Sequence, residues 1–324
     1  MVIFMKVLFM GTPDFAASIL KKLIESGHEI IGVVTQPDKQ KGRGKVIAFS
    51  PVKETALENQ LPVYQPVKAR DPEFIECIRK MAPEVIVVAA FGQILPKNLL
   101  DIPTYGCINV HASLLPKYRG AAPIQYSIID GEEETGVTIM HMDVGIDTGD
   151  MILQAKIPIS PEETGGSLYD KLAVLGAALL LEALDKIAFG TAPRIPQEDS
   201  KATYVKMLSK EMGNIDFTKP AIQIERLIRG LNPWPSAYTQ LDGKTLKLWK
   251  AAVVKMDRKA KPGEILEVCK DSIVVMTGQD ALEIQELQLE GKKRMSAEAF
   301  LRGYTVTPGM LLGESNHPNA GNEL

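Results

Sequence analysis

The 324-residue chain has only three cysteines, Cys77, Cys107 and Cys269, far apart and with no CxxC pair. So sparse and odd a set argues against a disulfide framework or a zinc site and fits a reducing cytoplasm, where the protein is expected to reside. No apolar run approaches the ~20 residues of a membrane span, so no membrane association is expected. The opening MVIFMKVLFMG carries Lys6 and runs into the turn Gly11-Thr12-Pro13-Asp14, which suits a first β-strand better than a signal peptide. That turn has one glycine and a proline where a dinucleotide-binding fold carries GxGxxG, so a nicotinamide site is disfavoured. A GxxxxGK[ST] phosphate loop is missing too. Nor is there an excess of one charge: 37 Lys and Arg face 40 Asp and Glu, a net of −3.

What is present is an ordinary soluble composition, 45% hydrophobic and 24% charged, at a length that suits two domains. Basic residues cluster at Lys39, Lys41, Arg43 and Lys45, at Lys255, Arg258, Lys259 and Lys261, and at Lys292, Lys293 and Arg294. Any one cluster is first a solvated loop; together they can offer phosphate-binding surface on a mildly acidic protein.

The first half alternates Val/Ile-rich runs at 6–10, 30–35 and 85–90 with helical spacing at 15–25, 51–60 and 72–81. Strand, helix, strand at this spacing predicts βαβ units and a Rossmann-like, mostly parallel sheet with helices on both faces. Strands at 107–111 and 136–142 and a long helix at 167–184 follow. After Phe189 the polar, Pro-bearing stretch 190–208 predicts a linker. Beyond it, a helix at 222–229 precedes five short strands at 237–241, 245–250, 263–268, 272–277 and 281–289, with Asp242-Gly243 as a hairpin turn. This succession suggests a small OB-like β-barrel. The expected organisation is a catalytic domain at 1–189, the linker, a barrel domain at 209–313 and a disordered tail at 314–324.

The chemistry concentrates in Gly106-Cys107-Ile108-Asn109-Val110-His111-Ala112-Ser113-Leu114-Leu115-Pro116. Strand side chains alternate faces, so Asn109 and His111 point one way at a strand's end and Ile108 and Val110 the other. Cys107 shares the polar face but lies deeper, where a small buried thiol is favoured over a nucleophile. A second polar cluster, Asp143-Val144-Gly145-Ile146-Asp147-Thr148-Gly149-Asp150, follows the strand at 136–142. It lacks the glutamate and flanking helices of a calcium loop, so it is taken as a turn projecting carboxylates. One of these acids can reach His111 and fix its tautomer, and spacing alone does not decide which. Of the other histidines, His28 opens a strand, His141 lies within one and His317 is in the tail; none is assigned to the site.

Asn109-x-His111 followed by Ser113-Leu114-Leu115-Pro116-x-x-Arg119-Gly120, with Asp147 in an Asp-Thr-Gly-Asp turn, resembles the formyltetrahydrofolate-dependent formyltransferase family. The likeness covers nearly the whole chain, through Gly11-Thr12-Pro13-Asp14-Phe15-Ala16, Thr35-Gln36-Pro37-Asp38, Gly42-Arg43-Gly44, Gly120-Ala121-Ala122-Pro123, Asn232-Pro233-Trp234-Pro235 and Gly291-Lys292-Lys293. Ala112, where relatives often have glycine, and His141, where some have glutamine, are slight departures outside the catalytic set.

The resemblance implies transfer of a formyl group from 10-formyltetrahydrofolate to the α-amine of methionine esterified to initiator tRNA, with Asn109, His111 and Asp147 catalytic and no metal. An amide and a protonated imidazole are suitable donors to the oxyanion formed when an amine attacks a formyl carbon. Asp147 can hold the imidazole's protonation state and help move a proton toward N10 of the folate. Ser113, Leu114, Leu115 and Pro116 are implied as folate contacts, with Phe91, Gly92 and Ile94 as pocket wall. For the tRNA, the glycine-flexible basic loop 38–45 with Lys39, Lys41 and Lys45 is the candidate; the resemblance implies that its Arg43 enters the acceptor stem, and Lys206 and Lys210 are expected to grip phosphates. A monomer is expected. The rival readings are a formyltransferase acting on a small amine, such as a sugar nucleotide or glycinamide ribonucleotide, and a non-catalytic RNA-binding module.

Overall fold

A computed structural model describes residues 4–41 and 46–313, without the side chains of residues 40, 41, 46 and 47. Its backbone divides into two compact units, one of 1–123, 134–158 and 169–205, the other of 124–133, 159–168 and 206–324. In chain order the first elements are β1 (Lys6–Gly11), α1 (Asp14–Glu25), β2 (Glu29–Val34), β3 (Lys39–Lys41), β4 (Val46–Ala48), α2 (Pro51–Glu58), β5 (Val63–Tyr64), α3 (Pro72–Met81) and β6 (Val85–Ala89). They continue with α4 (Lys97–Leu100), β7 (Cys107–His111), β8 (Arg119–Gly120), α5 (Pro123–Ile129), β9 (Glu134–His141), β10 (Met151–Pro158), α6 (Gly165–Ala188) and β11 (Tyr204–Val205).

The first unit holds a seven-stranded sheet in the order β10-β9-β7-β6-β1-β2-β5. The five strands from β7 to β5 are parallel, and β9 and β10 add an antiparallel edge. The expected parallel-rich α/β architecture is therefore present. The strand β10 is absent from the sequence expectations, because its Met151–Pro158 segment alternates Lys and Gln with apolar residues and lacks a Val/Ile run. One face of the sheet sends Leu8, Met10, Ile86, Val88 and Cys107 against Ile75, Ile78, Leu99 and Leu100 of α3 and α4. On the other, Phe15 of α1 meets Tyr169 of α6 edge-on at 5.7 Å, and Gly176 of α6 lies against Val110 of β7. Apolar residues on both faces explain why the central strands read as continuous Val/Ile runs. Each fully buried aliphatic side chain contributes roughly 1.5–3 kcal/mol.

The segment expected as a linker is built into this unit as far as Val205. β11 pairs in parallel with β8, and Ile195 bridges to Met151. Its polar, proline-bearing composition reports the loss of regular periodicity, not a loss of contacts.

The second unit contains α7 (Ala221–Gly230), β12 (Ala237–Leu241), β13 (Lys244–Val254), β14 (Ile265–Val268), β15 (Ile273–Met276), β16 (Ala281–Leu289), β17 (Met295–Ser296) and α8 (Ala297–Leu301). Its strands form an antiparallel sheet in the order β12-β13-β16-β15-β14, with β17 added on β16. Asp242 and Gly243 both take positive φ, 49° and 72°, the dihedrals of the primed hairpin turn the sequence signals. Ile224 and Ile228, one turn apart on α7, join Phe217, Leu248, Leu282 and Leu287 in its core. The proposed tail at 314–324 lies outside the described residues. No helix among the described residues is long and apolar enough to cross a membrane.

Candidate active site

β7 is flanked by β6 and β9, so its side chains project from a strand paired along both edges. Alternation then puts Asn109 and His111 on one face, as the sequence predicts. Past His111 the chain leaves the sheet, held by Thr138 of β9. The Thr138 hydroxyl accepts the Leu115 N–H at 3.1 Å and donates to the Ser113 carbonyl at 2.7 Å. The Gln154 amide donates to the Leu115 carbonyl at 2.8 Å, and the Ser113 hydroxyl donates to that of Lys117 at 2.7 Å.

His111 is 6% exposed. Its Nε2 lies 2.9 Å from the Tyr118 carbonyl. A carbonyl only accepts, so Nε2 carries a hydrogen and Nδ1 is the nitrogen left to exchange a proton. Nδ1 faces Oδ2 of Asp147 at 3.6 Å, close enough for charge pairing but longer than a hydrogen bond. Asp147 is thus the acid of the 143–150 turn that meets the histidine. Asp143 instead ties up its own turn, accepting from the Gly145 N–H and the Thr148 hydroxyl.

Two neutral donors orient the Asp147 carboxylate: Asn109 Nδ2 reaches Oδ1 at 3.2 Å, and the Gly120 N–H reaches Oδ2 at 2.8 Å. Gly120 adopts φ +110°, and a Cβ there would sit 2.3 Å from the Val205 carbonyl oxygen, so only glycine fits. Asp147 itself has φ +54° and Tyr118 has φ +61°. Left-handed backbone at non-glycine residues costs roughly 1–3 kcal/mol each and persists where surrounding contacts over-determine it.

Of the residues expected at the folate pocket, Phe91 puts its ring in the core and turns its carbonyl outward, where Gln36 Nε2 donates at 3.0 Å and the Thr12 hydroxyl at 3.2 Å. Ile94 is 77% exposed. Leu115 is buried, and Leu114 and Pro116 are half-buried. Cys107, one step down the same face as Asn109, is buried and donates toward the Leu100 carbonyl; burial, reinforced by Asp101, pushes its thiol up to about 12. That is an inert thiol. His141 is half-buried, and burial, helped by Arg194 and opposed by Asp150, lowers it to about 4.

Lys39, Lys206 and Lys210 are exposed. Arg43 and Lys45 lie outside the described residues, as does the side chain of Lys41. Among the described residues no group of three or more His, Cys, Asp or Glu is placed to hold a metal. Nothing in the sequence marks the backbone groups of Tyr118 and Gly120 that meet His111 and Asp147. Arg119-Gly120 is visible as a motif, but nothing in it says that its amide addresses Asp147.

The formyl transferase pattern matches residues 5–184, and the formyl transferase C-terminal domain pattern matches 207–305. The chain belongs to the formyl transferase family. The formyl transferase of this chain is 57% identical over 305 residues to the methionyl-tRNA formyltransferase of Agathobacter rectalis, covering 94% of this chain and 98% of that one. It is 53% identical over 309 residues to the protein of the same name from Clostridioides difficile, covering 95% and 100%. Among solved structures, the fold is shared with WlaRD, a sugar 3N-formyl transferase seen with dTDP and 5-N-formyl-THF (TM-score 0.65, 19% identity, 90% of this chain and 100% of that one). It is shared too with Aquifex aeolicus HypX in complex with tetrahydrofolic acid (TM-score 0.62, 18% identity, 93% of this chain and 47% of that one). The chain spans about half the length of HypX.

Proposed function

We propose that the chain transfers the formyl group of 10-formyltetrahydrofolate to the α-amine of methionyl initiator tRNA, giving N-formylmethionyl-tRNA. The observation that carries the chemistry is the Asp147 carboxylate standing against both Asn109 and His111. The acceptor is supported by the identity of 50% or more, over nearly full length, to relatives named methionyl-tRNA formyltransferase.

The residues present fit a folate formyl donor. Asn109 uses one amide hydrogen on Asp147, and its Oδ1 and remaining hydrogen take no partner among the described residues. Gly92, at φ +81°, leaves bare backbone where, among the described residues beyond its chain neighbours, only Gln36 Nε2 comes within 4 Å of where a Cβ would stand, which gives a flat ring room to approach. Bound there, the folate supplies an activated formyl carbon. Asn109 donates to the formyl oxygen as negative charge grows on it; losing such a donor typically costs about 10²–10³ in rate. His111, with Nε2–H committed to Tyr118, offers Nδ1 as the second donor or as the site that receives a proton. Asp147 balances the charge of the imidazolium, and the proton leaving the attacking amine passes by way of the His111–Asp147 pair to N10 of the folate, whose bond to the formyl carbon breaks as the formyl C=O re-forms on the new amide.

Lys39, Lys41, Arg43, Lys45, Lys206 and Lys210 supply cations for tRNA phosphates, making affinity salt-dependent. The second unit serves in this reading as an OB-like barrel, and the protein works as a cytoplasmic monomer without a metal. Purified chain offered methionyl-tRNA and a small amine side by side with the formyl folate tests the acceptor. Preferential formylation of methionyl-tRNA is expected, and equal use of a free sugar-nucleotide amine would overturn it.

A further inference from the structure

We infer that Gln197 is a positioning residue for the transfer reaction, acting through Asp147 as one jaw of a two-sided clamp. The inference rests on the functional reading above only for the reaction it assists. Gln197 Nε2 donates both of its hydrogens to the Asp147 loop, to the carbonyl of Asp147 at 2.7 Å and that of Gly149 at 2.8 Å. Its Oε1 accepts the Nε–H of Arg119 at 3.1 Å. The amide cannot be flipped, because that would set an oxygen against two carbonyls and a nitrogen against a guanidinium.

Arg119 is 1% exposed and makes the glutamine rigid. Its Nη1 donates to the Tyr204 hydroxyl at 2.9 Å and its Nη2 to Asp199 at 2.7 Å. Burial works against its charge, but the Asp199 and Tyr204 hydrogen bonds outweigh this and hold the guanidinium firmly protonated. The residue that follows, Gly120, supplies the other jaw, its N–H gripping the Asp147 carboxylate at 2.8 Å. One dipeptide therefore fixes both ends of the catalytic acid: the main chain through Gln197, the carboxylate directly.

The loop's own bonds, the His141 N–H to the Asp150 carbonyl and Asp143 to the Gly145 N–H and the Thr148 hydroxyl, close it around Asp147 but leave the main-chain carbonyl of that left-handed residue to Gln197. Nothing local in the 190–208 sequence marks Gln197, which sits 50 residues from its target.

The test is Gln197→Glu, which keeps the shape and the acceptor for Arg119 but turns an oxygen toward the two carbonyls, with Gln197→Ala beside it. Misplacing a reacting group by about 1 Å costs up to about 10²-fold, so kcat should fall roughly 10–100-fold. KM for folate and for tRNA should move less than about threefold, the pattern of a lost transition-state interaction. The pH profile of kcat should take the form given by Asp147→Asn, and the Gly120 amide should exchange faster with solvent once its acceptor shifts. Turnover within about twofold of wild type would overturn the inference. So would a fall in kcat and Tm with a comparable rise in KM and a wild-type pH profile. Should the wild type formylate a small amine but not methionyl-tRNA, the functional reading fails while the same comparison runs on that amine; the Gly120 exchange reads the clamp whatever the substrate.

Discussion

Asn109 and His111 ride on β7, whereas Asp147 sits in an irregular loop, and the two are held by different physics. β7 is paired with β6 and β9, so backbone register aims its side chains before any side-chain contact is made. The loop has no ladder. Asp147 stands where it does because Gly120, Asn109 and Gln197 hold it from separate parts of the chain. The strand provides precision cheaply, at the stability of the whole sheet. The loop provides an adjustable carboxylate whose placement is as good as its contacts.

The sharpest way to probe the contrast is to change Asp147 without changing its shape. Asp147→Asn should lower kcat about 10²–10⁴-fold, the usual share of a positioned acid or base, with little change in folate binding. A loss below tenfold would make the loop dispensable and leave the strand pair to do the chemistry. Next in size is a control on the strand side. Cys107 lies on the same face as Asn109, yet its thiol is pushed up to about 12 and packed in the core. Cys107→Ala should cost roughly 1 kcal/mol of stability, as an average buried truncation does, and leave turnover near wild type. An inactive variant would restore the cysteine as a nucleophile.

The strand half of the site was legible in the sequence because period-two alternation is a local property. Asn109 and His111 could be put on one face from five residues. Asp147 was narrowed to a turn of three acids but not picked out by spacing, since the choice depends on which acid meets His111 across the gap between β7 and the loop. Gln197, the Tyr118 carbonyl and the Gly120 amide were not legible, being backbone or long-range contacts with no periodic signature. The fold followed the same rule. The Val/Ile-rich parallel strands carry a local signal, whereas β10, polar on alternate residues, and the two-residue β8 and β11 carry none.

The smallest effect concerns His141, beside the loop's base but outside the chemistry. Its folded-state value of about 4 lies below the ordinary 6.5, so the unfolded chain takes up a proton first as the pH falls. The stability tied to neutral His141 is complete above about pH 6.5 and is lost on the way down to about 4. His141→Gln should therefore narrow the drop in Tm between pH 7 and pH 4.5 without altering turnover at pH 7. An unchanged drop would assign the acid sensitivity elsewhere.

Single-turnover formyl transfer by His111→Ala, with tRNA binding measured on the same preparation, separates chemistry from binding most directly. Methionyl-tRNA should still bind while formylation is lost. Formylation near the wild-type rate would show that the Asn109–His111–Asp147 set is not where the chemistry occurs.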